Sequence, residues 1–237
     1  MRKVFIADAH LRSEGDENYR KLLAFLAGLQ GNTDTLFILG DLFEFWIGYR
    51  QVPFVQYRRV LDELRSLVAS GTELVYFEGN HDFHMGPFFK ETLGARVFKG
   101  PATLDLDGAK VYLCHGDQIN RGDTGYLLLR WLLHNPLTGA VAPFVPVRVA
   151  TSIADRMARM SRRNHQSRRV KWDYAAIMRA FAEARFEEGY DAVITGHFHT
   201  PLLEKSGTRA LLSLGDWITH FSYGEWKDGE LSLKTYR

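Results

Sequence analysis

The chain has 237 residues, 46% apolar, 24% charged and 13% aromatic, with a formal net charge of +2. This composition excludes disorder, collagen-like repeats and a coiled coil, and the length suffices for one large α/β core. A single cysteine, Cys114, excludes a disulfide scaffold or a Cys-based zinc finger and fits a reducing compartment.

In chain order, Lys3–Ala7 reads as a buried strand and Asn18–Leu29 as an amphipathic helix with Leu22, Leu23, Leu26 and Leu29 on one side. Thr35–Leu39 is the next strand, Pro53–Ala69 the next helix and Glu73–Phe77 the third strand. Such alternation predicts a largely parallel sheet with right-handed crossovers. Strands then crowd together at Ala102–Leu106 and Lys110–Cys114, joined through the Asp107-Gly108 turn. Helical patterns follow over Tyr126–Leu133, Val147–Met160 and Trp172–Glu188. The remaining strands are Ala192–Thr195, Leu202–Lys205, Arg209–Leu214, His220–Trp226 and Glu230–Thr235, with turns at Ser206-Gly207 and Asp228-Gly229. Two strand-rich halves with helices outside predict an αββα sandwich, a single domain over 1–237 carrying a helical insertion, or lid, at about 121–170.

The opening apolar run is too short for a signal peptide. The uncharged stretch Trp131–Val147 is broken by Pro136, Pro143 and Pro146, which argues against a spanning helix. Within the insertion, Tyr126–Val149 is rich in Leu, Trp, Phe and Val, while Arg148, Arg156, Arg159, Arg162, Arg163, Arg168, Arg169 and Lys171 face one acid, Asp155. An apolar segment joined to a basic one suits an amphiphile, with acyl chains on the first part and phosphates or an anionic bilayer on the second. A solvated helix face is the plainer reading of the basic run. Nucleic acid is less favoured, because the apolar content is high and Trp172 and Tyr174 only flank the arginines.

Five polar blocks stand where strands end: Asp8-Ala9-His10, Gly40-Asp41-Leu42-Phe43-Glu44, Gly79-Asn80-His81-Asp82, His115-Gly116-Asp117 and Gly196-His197-Phe198-His199. Ligand sites of α/β folds collect at the carboxyl ends of strands, so these blocks can converge on one edge. Carboxylate, amide and imidazole donors suit a pair of divalent metal ions, Mn(II) first, with Fe, Zn or Mg also compatible. Period-2 alternation in an extended segment would put Asp8 with His10, and His197 with His199, on the same side. Singly, an Asp-x-His is an ordinary turn cap; five such blocks in order are not a coincidence. His84, His134, His165 and His220 lie outside the blocks and are not expected to be ligands, and Cys114 reads as a small buried hydrophobe.

Together the blocks resemble the calcineurin-like metallophosphoesterase family over nearly the whole chain. The resemblance implies a two-sheet αββα sandwich. It implies one metal held by Asp8, His10, Asp41 and His199, and another by Asp41, Asn80, His115 and His197, with Asp41 bridging. It further implies in-line attack on phosphorus by a hydroxide between the metals. His81 is then the non-ligand catalyst, with Asp82 or another carboxylate to orient it.

Within the family, Phe5–Leu11, Ile38–Gly48, His115-Gly116-Asp117, Asp123 and Gly125-Tyr126 are most similar to a bacterial branch of the lipid A pathway. That branch cleaves the lipid-linked sugar nucleotide UDP-2,3-diacylglucosamine to UMP and an acylated sugar 1-phosphate. The likeness implies substrate contacts from Asn80, His81, Asp123, Tyr126, Arg156, Ser161, Asn164 and His197. With the apolar and basic insertion, this predicts a cytoplasmic enzyme loosely attached to the cytoplasmic face of the inner membrane, and no obligate protein partner is evident in the sequence. One departure is His81, where the best-known members carry arginine. Two other readings stand beside this one: the same chemistry on a cyclic nucleotide, phosphoprotein or nucleic acid, and a non-catalytic scaffold of the same fold. The second should have lost ligands, and none of the seven positions is lost.

Overall fold

The computed structural model describes residues 1–48, 54–86, 88–141, 144–146 and 171–237, with positions 149, 152 and 156 besides. Most of the expected Val147–Met160 helix, together with Ser161, Asn164 and His165, lies outside the described residues.

The chain runs through β1 (Arg2–Ile6), α1 (Glu17–Leu29), β2 (Thr35–Ile38), β3 (Trp46–Ile47), α2 (Arg58–Ala69), β4 (Glu73–Phe77), β5 (Asp82–Phe83), β6 (Arg96–Phe98), β7 (Ala102–Leu106) and β8 (Ala109–Cys114). It continues through α3 (Thr124–Leu133), α4 (Pro136–Val141), α5 (Tyr174–Glu187), β9 (Ala192–Thr195), β10 (Pro201–Ser206), β11 (Arg209–Leu214), β12 (Ser222–Lys227) and β13 (Glu230–Thr235). A six-stranded sheet has the order β13-β12-β1-β2-β4-β6, a five-stranded one β10-β11-β9-β8-β7, and β3 pairs β5 alone. β1, β2, β4 and β6 are parallel, as are β8, β9 and β11; antiparallel strands close one edge of the first sheet (β12, β13) and both edges of the second (β10 and β7), while the parallel β6 forms the first sheet's other edge.

Both faces of the central strands are covered, which is why they read as unbroken apolar runs. Phe5, Phe37, Val75 and Phe77 of the first sheet pack against Val111, Leu113, Ile194 and Leu212 of the second. Val4, Ile6, Leu36 and Tyr76 face outward against Leu22 and Leu26 of α1 and Leu61 and Leu64 of α2. Met178, Ala182 and Phe186 of α5 cover Val193 and Leu211 on the far side. The result is the expected four-layer αββα sandwich. Each fully buried leucine of the α1–α2 face contributes about 1.5–3 kcal/mol relative to exposure.

Three features differ from the sequence expectation. The helix expected from Pro53 starts at Arg58, after one 3₁₀ turn at Val55–Tyr57. β6 and a π-helical turn at Phe88–Thr92 follow the third block. The β3–β5 pair, two residues a side, ties the second block to the third through Trp46 N to His81 O at 2.9 Å and Gly48 N to His84 O at 2.8 Å. So short a pairing has no pattern of its own; the surrounding fold imposes it.

Candidate metal centre

All five blocks meet at the carboxyl edge of the two sheets, but not in extended geometry. Asp8, His10, Asp41, His197 and His199 take φ values of 56°, 44°, 54°, 69° and 52°, in the left-handed region. The period-2 expectation for Asp8–His10 and His197–His199 is thus corrected: left-handed turns, not a pleat, aim these side chains. The first pair of strands prolongs its hydrogen bonding past its end, Asp8 N to Gly40 O at 3.1 Å and His10 N to Asp41 O at 2.9 Å. Non-glycine residues in this conformation cost of order 1–3 kcal/mol each and persist where their surroundings over-determine them. Space is equally restricted: a Cβ at Gly79 would lie 2.2 Å from Asp41 Oδ1, and one at Gly40 (φ 85°) 2.6 Å from His115 Nδ1. Both positions require glycine.

Asp8 and Asp41 are buried at the focus. Asp8 Oδ1 lies 3.5 Å from His199 Nε2 and 3.9 Å from His10 Nε2. Asp41 Oδ2 lies 3.7 Å from His10 Nε2 and 3.5 Å from His115 Nε2, and so reaches both halves of the site. Asp8, His10 and His199 form one group of mutually close donor atoms, and Asp8, Asp41 and His115 another. Asn80 Oδ1 is 3.1 Å from His115 Nε2. The His197 amide donates to Asp8 Oδ2 at 2.7 Å, and its ring meets those of His115 and Tyr126 at 5.1 and 5.7 Å.

The donor set fits divalent cations. His115 Nδ1–H donates to Leu39 O at 2.7 Å, which turns Nε2 toward Asn80 Oδ1 and Asp41 Oδ2; despite burial, the Asp41 carboxylate holds His115 well above the usual imidazole range, so Nε2 carries a proton unless a cation takes its place. Acceptors so arranged need a cation or proton among them. Asp8 Oδ1 and His10 Nε2 are buried without a hydrogen-bond partner, which is costly unless a ligand satisfies them. Burial pushes Asp8 up to about 6 and His10 down to about 4. Burial would also raise Asp41, but the imidazoles of His115 and His81 hold its carboxyl well below the usual range. Burial lowers His197 to about 3, keeping its ring neutral.

His81 edges onto the His10 ring at 4.7 Å; its amide donates to Asp41 Oδ1 and its Nδ1–H to Glu44 O, each at 2.9 Å. A backbone carbonyl therefore orients His81, and Asp82 does not. The buried Asp82 accepts from the amides of Asp41 (2.9 Å), Gly79 (3.1 Å) and Phe43 (3.2 Å) and from Tyr76 Oη (2.5 Å). Its carboxylate clamps the second block to the third.

Two carboxylates were not among the expected site residues. Glu44 Oε2 lies 3.5 Å from His10 Nδ1, and its Oε1 pairs with Arg12 at 3.0 Å. Asp216 Oδ2 lies 3.6 Å from His199 Nδ1 and accepts from His220 Nδ1 at 2.8 Å, while Ile218 and Thr219 amides donate to its Oδ1. Despite burial, these bonds, that to His199 first, hold Asp216 far below the usual carboxylate range. Glu44 was visible inside its block, but Asp216 follows β11 with no motif to mark it.

The insertion residues divide. Asp123 Oδ1 accepts from the Tyr126 amide at 3.3 Å and caps α3, and Tyr126 Oη donates to the buried Asp117 at 3.2 Å. Arg130 pairs with the same Asp117 carboxylate. Asp117 thus anchors α3 beside His115. Arg156 is exposed, and Ser161 and Asn164 fall outside the described residues. Leu128 and Trp131 of α3, Leu137 of α4 and Phe144 beyond it are 60–84% exposed. Among the described residues no helix is long and apolar enough to cross a membrane.

A sandwich of this topology with paired carboxylate–imidazole donors on its strand edge defines a metal-dependent phosphoester hydrolase. Residues 1–201 match the calcineurin-like phosphoesterase family, and the chain belongs to it. The UDP-2,3-diacylglucosamine hydrolase of Pseudomonas syringae pv. tomato is 32% identical, over 90% of this chain and 87% of its own. The enzyme of that name from Pseudomonas paraeruginosa is 34% identical, over 92% and 91%. Among solved structures, an archaeal phosphodiesterase (14% identity, TM-score 0.52, 99% of each chain) and the Escherichia coli phosphoesterase Yfce (16%, 0.51, 100% and 94%) share the fold.

Proposed function

We propose that the chain hydrolyses the diphosphate of UDP-2,3-diacylglucosamine, giving UMP and 2,3-diacylglucosamine 1-phosphate, at a centre of two divalent cations, Mn(II) first. The observation that carries this reading is the exposed apolar face of α3 and α4 standing beside the buried polar centre, joined to it through Asp117. A substrate with acyl chains next to a diphosphate has that polarity. The curated relatives named above carry the same substrate in their names.

Asp8, His10, Asp41 and His199 would hold one cation, and Asp41, Asn80, His115 and His197 the other. When bound, the cations would lower the pKa of a water and offset the charge that grows on the phosphoryl oxygens. Glu44 and Asp216 keep His10 and His199 turned inward through the nitrogens that do not face the centre. His81, its Nδ1–H fixed on Glu44 O, presents Nε2 to a phosphoryl or leaving-group oxygen. Tyr126 and Asp123, with Arg156, Ser161 and Asn164, would contact the glucosamine and its phosphate from the insertion at about 121–170, which acts as a lid on a single domain. The exposed apolar face suits loose attachment to the cytoplasmic side of an anionic membrane.

The test is release of UMP from UDP-2,3-diacylglucosamine in detergent with Mn²⁺, abolished by chelator and restored by metal. His81 in place of arginine favours a second reading, a phosphoesterase for another ester. Turnover of bis-p-nitrophenyl phosphate without UMP release would establish that one instead.

A further inference from the structure

Two carboxylates stand behind imidazoles of the centre, and each has a second partner at the surface. Glu44 Oε2 lies 3.5 Å from His10 Nδ1, and its Oε1 pairs with Arg12 Nη2 at 3.0 Å. Asp216 Oδ2 lies 3.6 Å from His199 Nδ1 and accepts from His220 Nδ1–H at 2.8 Å. Thr219 Oγ1 reaches both Asp216 oxygens, at 3.2 and 3.3 Å, and the amides of Ile218, Thr219 and His220 donate to Oδ1. The Arg12 and His220 side chains are 49% and 40% exposed, whereas those of Glu44 and Asp216 are 14% and 4%. Two series of the same order thus run inward, from a surface donor through a carboxylate to an imidazole.

Both series end at one side of the centre. His10 and His199 belong with Asp8 to one group of close donor atoms, and their rings lie 5.2 Å apart. His115, in the other group, is backed by a neutral carbonyl, its Nδ1–H on Leu39 O at 2.7 Å. A carboxylate behind an imidazole fixes the ring and raises its basicity as a ligand, provided that the carboxylate itself stays in place. The backbone bridge of Leu11 with Phe43, and the Glu44 amide on Leu11 O at 3.1 Å, set Arg12 beside Glu44. Arg12 thus holds the long Glu44 side chain from the outer side. His220 fixes the same Asp216 oxygen that faces His199.

We propose that Arg12 and His220 are positioning residues for the cation held by Asp8, His10, Asp41 and His199, each acting through the carboxylate behind a ligating imidazole. The inference rests on the ligand sets proposed above and assigns neither residue a contact with cation or substrate. An exposed ion pair adds little to folding stability, so the effect falls on metal binding and not on unfolding. Partners directly behind ligating histidines are worth about 10–100-fold in affinity; one step farther out, about three- to tenfold is expected. The second position, with His115 on a carbonyl, should not respond.

The experiment is titration of Mn²⁺ into the full chain after chelation, with bound and free metal read by electron paramagnetic resonance. The wild type should take up two ions. Arg12→Gln and His220→Ala should each weaken one binding step about three- to tenfold and spare the other, with the Tm of the metal-free chain unchanged. His220→Asn should restore the affinity, because its side-chain amide can donate to Asp216 from the place of Nδ1. The loss in His220→Ala should persist when Asn80→Ala damages the other position, and vanish when His199→Ala removes the imidazole it acts through. An equal loss at both steps, or a loss that persists in His220→Asn, overturns the proposal. So does unchanged metal binding with a raised KM in Arg12→Gln, which would make Arg12 a substrate contact. A wild type that takes up fewer than two ions overturns the ligand sets themselves. Two ions bound, with Arg12 and His220 indifferent, overturn this inference alone.

Discussion

The strand-edge loops and the α3–α4 segment solve opposite problems. In the loops polar groups are buried: Asp8, Asp41, Asp82 and His115 are almost inaccessible, and backbone amides and carbonyls fix nearly every one. In the segment apolar groups are exposed: none of the residues of α3 or α4 is buried, although α3 is mostly Leu, Trp and Tyr. Burying charge costs free energy unless it is satisfied, and exposing apolar surface costs free energy unless it is covered. Each region therefore carries an unfavourable term that, on the function proposed above, a bound species removes, cations for the first and an amphiphile for the second. The two regions meet at Asp117, which accepts from Tyr126 Oη and pairs with Arg130 of α3.

The sharpest way to break this contrast is at Asp41, whose one carboxylate reaches both halves of the centre. Asp41→Ala should lower kcat by at least about 10³-fold and deplete bound metal at both positions. Near-normal turnover at saturating Mn²⁺ would sink the dinuclear assignment. His81→Ala should lower kcat by about 10²-fold while metal analysis stays near wild type. An emptied site would make His81 a ligand.

The two regions also differ in what the residues alone disclose. The blocks are legible because their chemistry admits few residue types and because β1, β2 and β4, buried on both faces, leave continuous apolar signals before them. The conformation of the blocks is not legible. Only the finished pairing of Asp8 with Gly40 and His10 with Asp41 reveals left-handed turns where alternation suggested extended chain. Asp216 is invisible for a related reason: it lies 17 residues beyond His199, and a hairpin of β10 and β11 brings it back to that ring. Asp82 shows the converse error. A carboxylate next to His81 in sequence looked like its orienting partner, yet it faces the other way and holds backbone. In α3 the apolar pattern was plain, but whether it meant core or open surface needed the sandwich around it.

Asp216 tests how far support behind the donors matters. Asp216→Ala should weaken Mn²⁺ binding by about 10–100-fold in a direct metal titration, as when the hydrogen-bond partner of a ligating histidine is lost. Unchanged affinity would reduce Asp216 to a loop anchor for Ile218 and Thr219. On the other side of the comparison, Leu128→Ser with Trp131→Ser should raise KM for the diacylated substrate about tenfold and change hydrolysis of bis-p-nitrophenyl phosphate little. Equal losses on both, in a folded variant, would mean that these side chains pack rather than receive acyl chains.

The smallest effect falls at the joint between the regions. Asp123 accepts the Tyr126 amide at the start of α3 and is also a proposed substrate contact. A cap lost to alanine costs about 1 kcal/mol, whereas asparagine caps about as well. Asp123→Ala should therefore lower Tm by about 2–4 °C in a chain of this size, and Asp123→Asn should leave it near wild type. If the carboxylate also meets substrate, both variants raise KM, because asparagine restores the cap but not the charge. Calorimetry and kinetics on the same pair thus separate the two roles. A KM that recovers with Tm in Asp123→Asn would show that Asp123 serves the site only by starting the helix that carries Tyr126 and Arg130 to Asp117.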